Sequence, residues 1–232
     1  KADIPTLLVS FARSGNSPES VATVALAQQI VNNLYQITIT CSKDGKLAQR
    51  AAGDDRNLLL LMPEKSNDQG FAMTGSYTCM TLTSLLIFDS LSDEEKGEIV
   101  KTIRRMGESV IQREEMIEKI VSVDFDRIIY LGSGGFEGLA REAQLKVLEL
   151  TAGKMATAFD SSLGFRHGPK SFVNENAVVF CFVSNQAYTR QYDIDMLNEL
   201  KQDQIARTVC AIVVEGDNNY SGDTFLFDSE DA

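Results

Sequence analysis

The stretch TLLVSFARSGNSPESVATVALAQQIVNNL, residues 6–34, decides the fold class. Thr6 to Phe11 is a largely apolar run of strand length. A turn rich in small residues follows, and from Pro18 to Leu34 the apolar positions recur at helical spacing. Within the turn, Ser14-Gly15-Asn16-Ser17-Pro18 offers two hydroxyls, a glycine, a Ser17 N-cap and a proline at the first helical position. Amides at such a helix start point outward, and the helix dipole favours an anion there. The pattern fits a plain capped strand-to-helix turn or a phosphate cradle.

Further strand-like runs lie at Gln36 to Thr40 and Asn57 to Leu61, and a helix is expected over Ser76 to Asp89. From Ser92 to Ser122, Ile99, Ile103, Met106, Val110, Ile117 and Ile120 are spaced like one face of a long helix, opened by a Ser92 cap with Glu95 three residues on. A second alternation then begins. It comprises strand Arg127 to Leu131, helix Gly138 to Leu150, strands Met155 to Phe159 and Ala177 to Val183, helix Ala187 to Gln204 and strand Thr208 to Val214. Alternating strands and helices predict an α/β fold with mainly parallel sheets. The expected organisation is a first domain over 1–91, a linker helix over 92–122 and a second domain over 123–232, with the shared coarse pattern pointing to a duplicated unit. The turn Ser184-Asn185-Gln186 has no glycine, so the first turn is the better phosphate holder.

Composition narrows the partners. The 232 residues carry 22 basic and 33 acidic side chains, a net charge of -11, which repels nucleic acid and anionic membranes but leaves room for a small phosphorylated metabolite. Cys41, Cys79, Cys181 and Cys210 are widely separated and form no CxxC pair, so they read as reduced core residues. With one histidine in the chain, a metal site lacks ligands. The apolar run Ala177 to Val183 is too short to span a bilayer, and no signal-like segment opens the chain, which gives a cytoplasmic expectation. Lys1 is not a methionine and Asp228 to Ala232 ends abruptly in acidic residues, so the numbering is expected to begin inside a longer protein.

Three more clusters could carry chemistry. Leu131-Gly132-Ser133-Gly134-Gly135 closes a strand with small residues that let a ligand approach the backbone. Gly132, Gly134 and Glu137 do not complete a dinucleotide fingerprint, although Asp160 follows the next strand. Glu142, Lys146 and Glu149 share one helix face, either as a salt-bridged surface or as a carboxylate base, Glu149, held beside a lysine. The only histidine stands in Phe165-Arg166-His167-Gly168-Pro169-Lys170, between two cations. It is either structural or an exposed acid–base group.

Taken together, Phe11 to Ser17, Leu131 to Gly134, Glu142 to Glu149 and Arg166-His167-Gly168-Pro169 resemble the sugar-isomerase (SIS) domain family over nearly the whole chain. The likeness is to the paired domains of the isomerase half of glucosamine-6-phosphate synthase, and more to the ketose/aldose isomerases of tagatose 6-phosphate, also described as galactosamine-6-phosphate deaminases. The resemblance implies two three-layer αβα domains joined by a long helix, acting on a sugar phosphate without metal or organic cofactor. By position, Arg13, Ser14, Gly15, Asn16 and Ser17 would hold the 6-phosphate, and Thr74 and Ser76 in Ala72-Met73-Thr74-Gly75-Ser76 would line the substrate together with Gly132, Ser133 and Gly134. Ala12 and Arg13 stand where the family often has serine and glutamine.

The resemblance further implies Glu149 as the base that shuttles a proton between C1 and C2, Lys146 beside it, and His167 as the ring-opening group reaching the site from a neighbouring subunit of a homodimer. A first strand with a phosphate-contacting turn and a C-terminal tail bearing a lysine are family elements this chain lacks. The implied reaction is aldose–ketose isomerisation or deamination of a hexose or hexosamine 6-phosphate. A non-catalytic sugar-phosphate sensor is the rival, against which stands the retention of Glu149, Lys146 and His167 together.

Overall fold

The computed structural model describes residues 3–216 and 220–228, so Lys1 and the acidic end beyond Asp228 lie outside the described residues. The chain divides into two compact units between Ser92 and Asp93.

In the first unit, strands β1 (Thr6–Ala12), β2 (Leu34–Thr40) and β3 (Asn57–Leu61) form a parallel sheet in that order. Thr6 lies opposite Leu34, and Gln36 opposite Asn57. Helices α1 (Pro18–Ile30), α2 (Lys46–Ala51) and α3 (Gly75–Phe88) complete it. Ile37, Ile39 and Met80 form its buried core. Helix α1 stops four residues before the expected Leu34, because Leu34 is recruited as the first residue of β2. Short α2, which lacked enough turns for its period to register in sequence, buries Leu47, Ala48 and Ala51.

The second unit begins with the helical segment expected as one helix over 92–122. It is two helices, α4 (Asp93–Gln112) and α5 (Glu114–Val121), broken at Arg113 with φ -106° and ψ 22°. The cause lies far along the chain. The Arg113 guanidinium donates to the Leu226 carbonyl at 2.6 Å and stacks over the Phe225 ring at 4.2 Å, contacts invisible to local periodicity. Strands β4 (Arg127–Gly132), β5 (Ala156–Asp160), β6 (Ala177–Phe182), β7 (Thr208–Val214) and β8 (Asp223–Phe227) form one parallel sheet, ordered β5-β4-β6-β7-β8. Helices α6 (Gly135–Leu150), α7 (Ser162–Arg166) and α8 (Ala187–Asp203) alternate with them. Both β8 and α7 escaped the sequence reading, being short elements without a full period.

Side-chain alternation along the strands separates two apolar layers. Ile129, Leu131, Val179 and Cys181 face Ile194, Met196, Leu197 and Leu200 of α8, with Phe165 of α7 in the same layer. Ile128, Val178, Phe180 and Cys210 face the other way, toward Val110, Ile117, Ile120 and Val121 of α4 and α5 and Val147 of α6. This is a helix–sheet–helix sandwich with both sheet faces covered, as parallel sheets require. Cys41, Cys181 and Cys210 are buried free thiols, as expected, whereas Cys79 is partly exposed. No helix among the described residues is long and apolar enough to cross a membrane.

Candidate functional site

Two helix N-termini in the first unit meet opposite fates. At α1, Ser17 occupies the N-cap position, but contrary to expectation its side chain makes no capping hydrogen bond. Ser17 is exposed, and Gly15 takes φ +68°, a conformation suited to glycine. Ser14 Oγ accepts from the Asn16 amide at 3.3 Å, which leaves its own O–H free to donate. Asn16 Oδ1 caps α2 instead, accepting from the Lys46 amide at 3.1 Å. Arg13 directs Nη1 to the carbonyls of Asp68 and Gly70, 3.0 and 3.1 Å away. Thus the α1 turn keeps unspent amides and hydroxyls beside a guanidinium.

At α3 the equivalent donors are already used. The Asp68 carboxylate accepts from the amides of Thr74, Gly75 and Ser76 and from the hydroxyls of Thr74 and Ser76, at 2.6–3.0 Å. The Ser76 hydroxyl and amide lead this set, and together they outweigh desolvation and hold the Asp68 carboxyl well below the usual carboxylate range. Thr74 and Ser76, expected to line a substrate, here satisfy the protein's own anion. Sequence reasoning missed Asp68. Its signal was an acidic residue six to eight positions before a Thr-x-Ser helix start.

In the second unit, Gln144 bonds Thr157 of β5 at 2.6 Å and Val147 packs on the sheet, so Glu142, Lys146 and Glu149 occupy the side of α6 turned away from it. Lys146 Nζ stands 2.7 Å from Glu149 Oε2 and 3.3 Å from Glu142 Oε1, all three half-buried. Burial pulls the Lys146 pKa down, but hydrogen bonds and charge from Glu149 and Glu142 raise it further, so the ammonium stays protonated. Here is a carboxylate with a fixed cation beside it, suited to moving a proton next to a developing enolate.

The strand order β5-β4-β6-β7-β8 reverses direction between β4 and β6, the switch point where open α/β sheets bind ligands. Gly132-Ser133-Gly134 lies there, and the space is filled from within. Asp193 of α8, fully buried, accepts the hydroxyls of Ser133 and Ser162 at 2.5 Å each and the Ser184 amide at 3.0 Å. A Cβ on Gly132 would come within 2.5 Å of the Phe136 carbonyl oxygen, so this glycine serves helix–strand packing. Gly132 to Gly134 and Glu149 stand at opposite ends of α6, about 21 Å apart along fourteen residues at 1.5 Å each. That separation sets the two groups apart within one chain, and the Ser133 hydroxyl is spent on Asp193. Asp193 was also missed, though an aspartate on the helix face of Leu197 and Leu200 was a readable signal.

His167 is the C-cap of α7, exposed, and its imidazole makes no hydrogen bond among the described residues. The flanking cations are not free. Arg166 Nε lies 2.9 Å from Glu199 Oε2, and Lys170 Nζ pairs with Glu199 and, at 2.5 Å, with Asp203. His167 therefore rides on elements packed with α8 over one sheet face, whereas Glu149 rides on α6 over the other.

The chain matches no protein-family model. It is 46% identical over 213 residues to a D-galactosamine-6-phosphate deaminase of Escherichia coli, an alignment covering 91% of this chain and 55% of that protein. The crystal structure of tagatose-6-phosphate ketose/aldose isomerase from Escherichia coli is 42% identical with a TM-score of 0.88, covering 98% of this chain and 63% of that one. The C-terminal domain of glucosamine-fructose-6-phosphate aminotransferase from Francisella tularensis, 19% identical, shares the fold, with a TM-score of 0.75 over 96% of this chain and 64% of that one. The chain spans about half the length of the curated relatives it matches. The resemblance read from the motifs holds: over nine-tenths of its length the chain is a homologue of proteins named galactosamine-6-phosphate deaminase, on the sugar-isomerase fold of tagatose-6-phosphate ketose/aldose isomerase.

Proposed function

We propose that the protein carrying this chain converts a hexosamine 6-phosphate, galactosamine 6-phosphate in the first instance, into tagatose 6-phosphate and ammonia. The observation that carries the reading is the Lys146–Glu149 pair at 2.7 Å in a chain 46% identical to a named deaminase. Residues 1–91 and 123–232 act as paired sugar-isomerase domains, with 92–122 connecting them, in a cytoplasmic homodimer.

The 6-phosphate binds at the uncapped start of α1, taking hydrogen bonds from Ser14, Ser17 and the adjacent amides, with Arg13 alongside. A pyranose has no acidic C–H until it opens, so His167 first moves protons between the ring oxygen and the anomeric hydroxyl. In the open aldehyde, Glu149 lifts the C2 proton, acidified by the carbonyl, and returns it to C1 through an enolamine. Lys146 stays protonated and offsets the charge that develops. Proton return leaves a C2 ketimine, which water hydrolyses to the ketose and ammonia. A 2-hydroxy sugar handled the same way is simply isomerised.

Placement of His167 and Glu149 over opposite faces of one sheet supports a second subunit as the source of the histidine. The test is to incubate the intact protein with galactosamine 6-phosphate and assay ammonia together with tagatose 6-phosphate. Ammonia release matching ketose formation is expected. Ketose without ammonia from a 2-hydroxy substrate alone would make the enzyme an isomerase, and tight binding without turnover would make it a sensor.

A further inference from the structure

The segment bearing His167 is short and irregular, yet α8 grips it at three places. At its start the Ser162 hydroxyl donates to buried Asp193 at 2.5 Å. Just before the histidine, buried Arg166 Nε lies 2.9 Å from Glu199 Oε2, an ion pair without hydrogen-bond alignment; just after it, Lys170 pairs with the other oxygen of Glu199 and with Asp203. One carboxylate thus divides its two oxygens between the cations on either side of His167-Gly168-Pro169. Hydrogen bonding from Lys170 outweighs desolvation and lowers the Glu199 pKa, so the carboxylate is charged at neutral pH. The imidazole itself is exposed and makes no hydrogen bond among the described residues.

A group that must hand protons between two oxygens of a bound sugar has to be held to a fraction of an ångström, and misplacement by about 1 Å costs up to 100-fold. We infer that Glu199 is a positioning residue for His167, bracing the histidine segment against α8 so that the imidazole is presented in the geometry ring opening needs. This rests on the reading of His167 as the ring-opening group. The pairs are one-fourth to one-third exposed, so their role is geometric rather than a large stabilisation.

The experiment compares Glu199→Gln, Glu199→Asp, His167→Asn and the double variant Glu199→Gln/His167→Asn in the intact protein. Glu199→Gln should lower kcat on a cyclic hexosamine 6-phosphate about 10-fold, a partial misplacement, with KM within about two-fold, and spare C1 proton exchange in an analogue locked open. Glu199→Asp should recover part of the loss. The double variant should be no slower than His167→Asn alone. A further 10-fold loss in the double variant, or an equal loss on the open analogue, would overturn the inference while leaving the histidine's role intact. Full turnover by His167→Asn would instead overturn the underlying reading. A ¹³C-labelled imidazole resonance that disappears in His167→Asn reports this site, and unchanged relaxation of that resonance in Glu199→Gln would overturn the inference whatever the activity.

Discussion

At the scale of single residues, chemistry and local geometry make different demands. Glu149 has its neighbour fixed by helical spacing, so replacing it with Gln keeps the shape and removes the base. Turnover of Glu149→Gln should fall by about 100-fold or more with KM little changed, measured by steady-state ammonia release; near-normal kcat would remove Glu149 from the mechanism. Ser14 and Ser17 act on binding instead. Ser14→Ala with Ser17→Ala removes donors to a charged oxygen, each substitution costing about 1.5–3 kcal/mol in affinity for the phosphorylated sugar. Equal weakening for the unphosphorylated sugar, read by calorimetry, would place the phosphate elsewhere. The pairing of Lys146 with Glu149 was legible because helical spacing alone sets it, whereas the roles proposed for Glu149, Lys146, His167 and the α1 turn come from the family resemblance. Asp68 and Asp193 were missed despite their local signals, and Glu199 was not legible, since only the folded chain brings Arg166 and Lys170 beside it.

At the scale of elements, the first unit shows how a helix start is reserved. Asp68 closes the N-terminus of α3 with its own carboxylate, so of these two helix starts that of α1 is the one whose donors stay unspent. Its folded pKa is depressed, and its stabilising contribution is therefore present above the ordinary carboxylate range, about 3.9, and is lost as pH falls toward the folded value. Asp68→Asn should lower Tm at pH 7, and the gap from wild type should narrow progressively below about pH 4. A gap independent of pH in thermal melts would mean that shape, not charge, matters there. The element boundaries themselves followed the hydrophobic period where elements were long. They failed at α2, α7 and β8, which are short, and at Arg113, where a distant carbonyl and two aromatic rings override the helical pattern of 92–122.

At the scale of the whole molecule, the proposed sharing of one site between two copies of the chain rests on His167 and Glu149 lying over opposite faces of one sheet. In an exchanging mixture of Glu149→Gln and His167→Asn proteins, half the dimers are mixed and each mixed dimer has one site with both groups intact. About a quarter of wild-type activity should therefore return, following from two-fold symmetry. Verified mixed dimers without rescue would put both residues in one subunit's site. Parallel topology was readable from the alternation of strands and helices. The order β5-β4-β6-β7-β8 was not, because which strand inserts beside β4 is settled by how the two apolar layers are shared among helices.

That strand order also sets a schedule for folding. Arg127 of β4 pairs with Ala156 on one side and with Ala177 on the other, so this interior strand is made early and completed late. Until residue 177 arrives, β4 keeps an open edge beside an uncovered apolar row of Ile129 and Leu131. Every pairing in the sheet is parallel and spans a crossover, so loop-closure entropy must be met before any ladder rewards it. Slow assembly with a transiently exposed edge is the expected kinetic signature, and it makes β4 the segment a nascent chain most needs shielded.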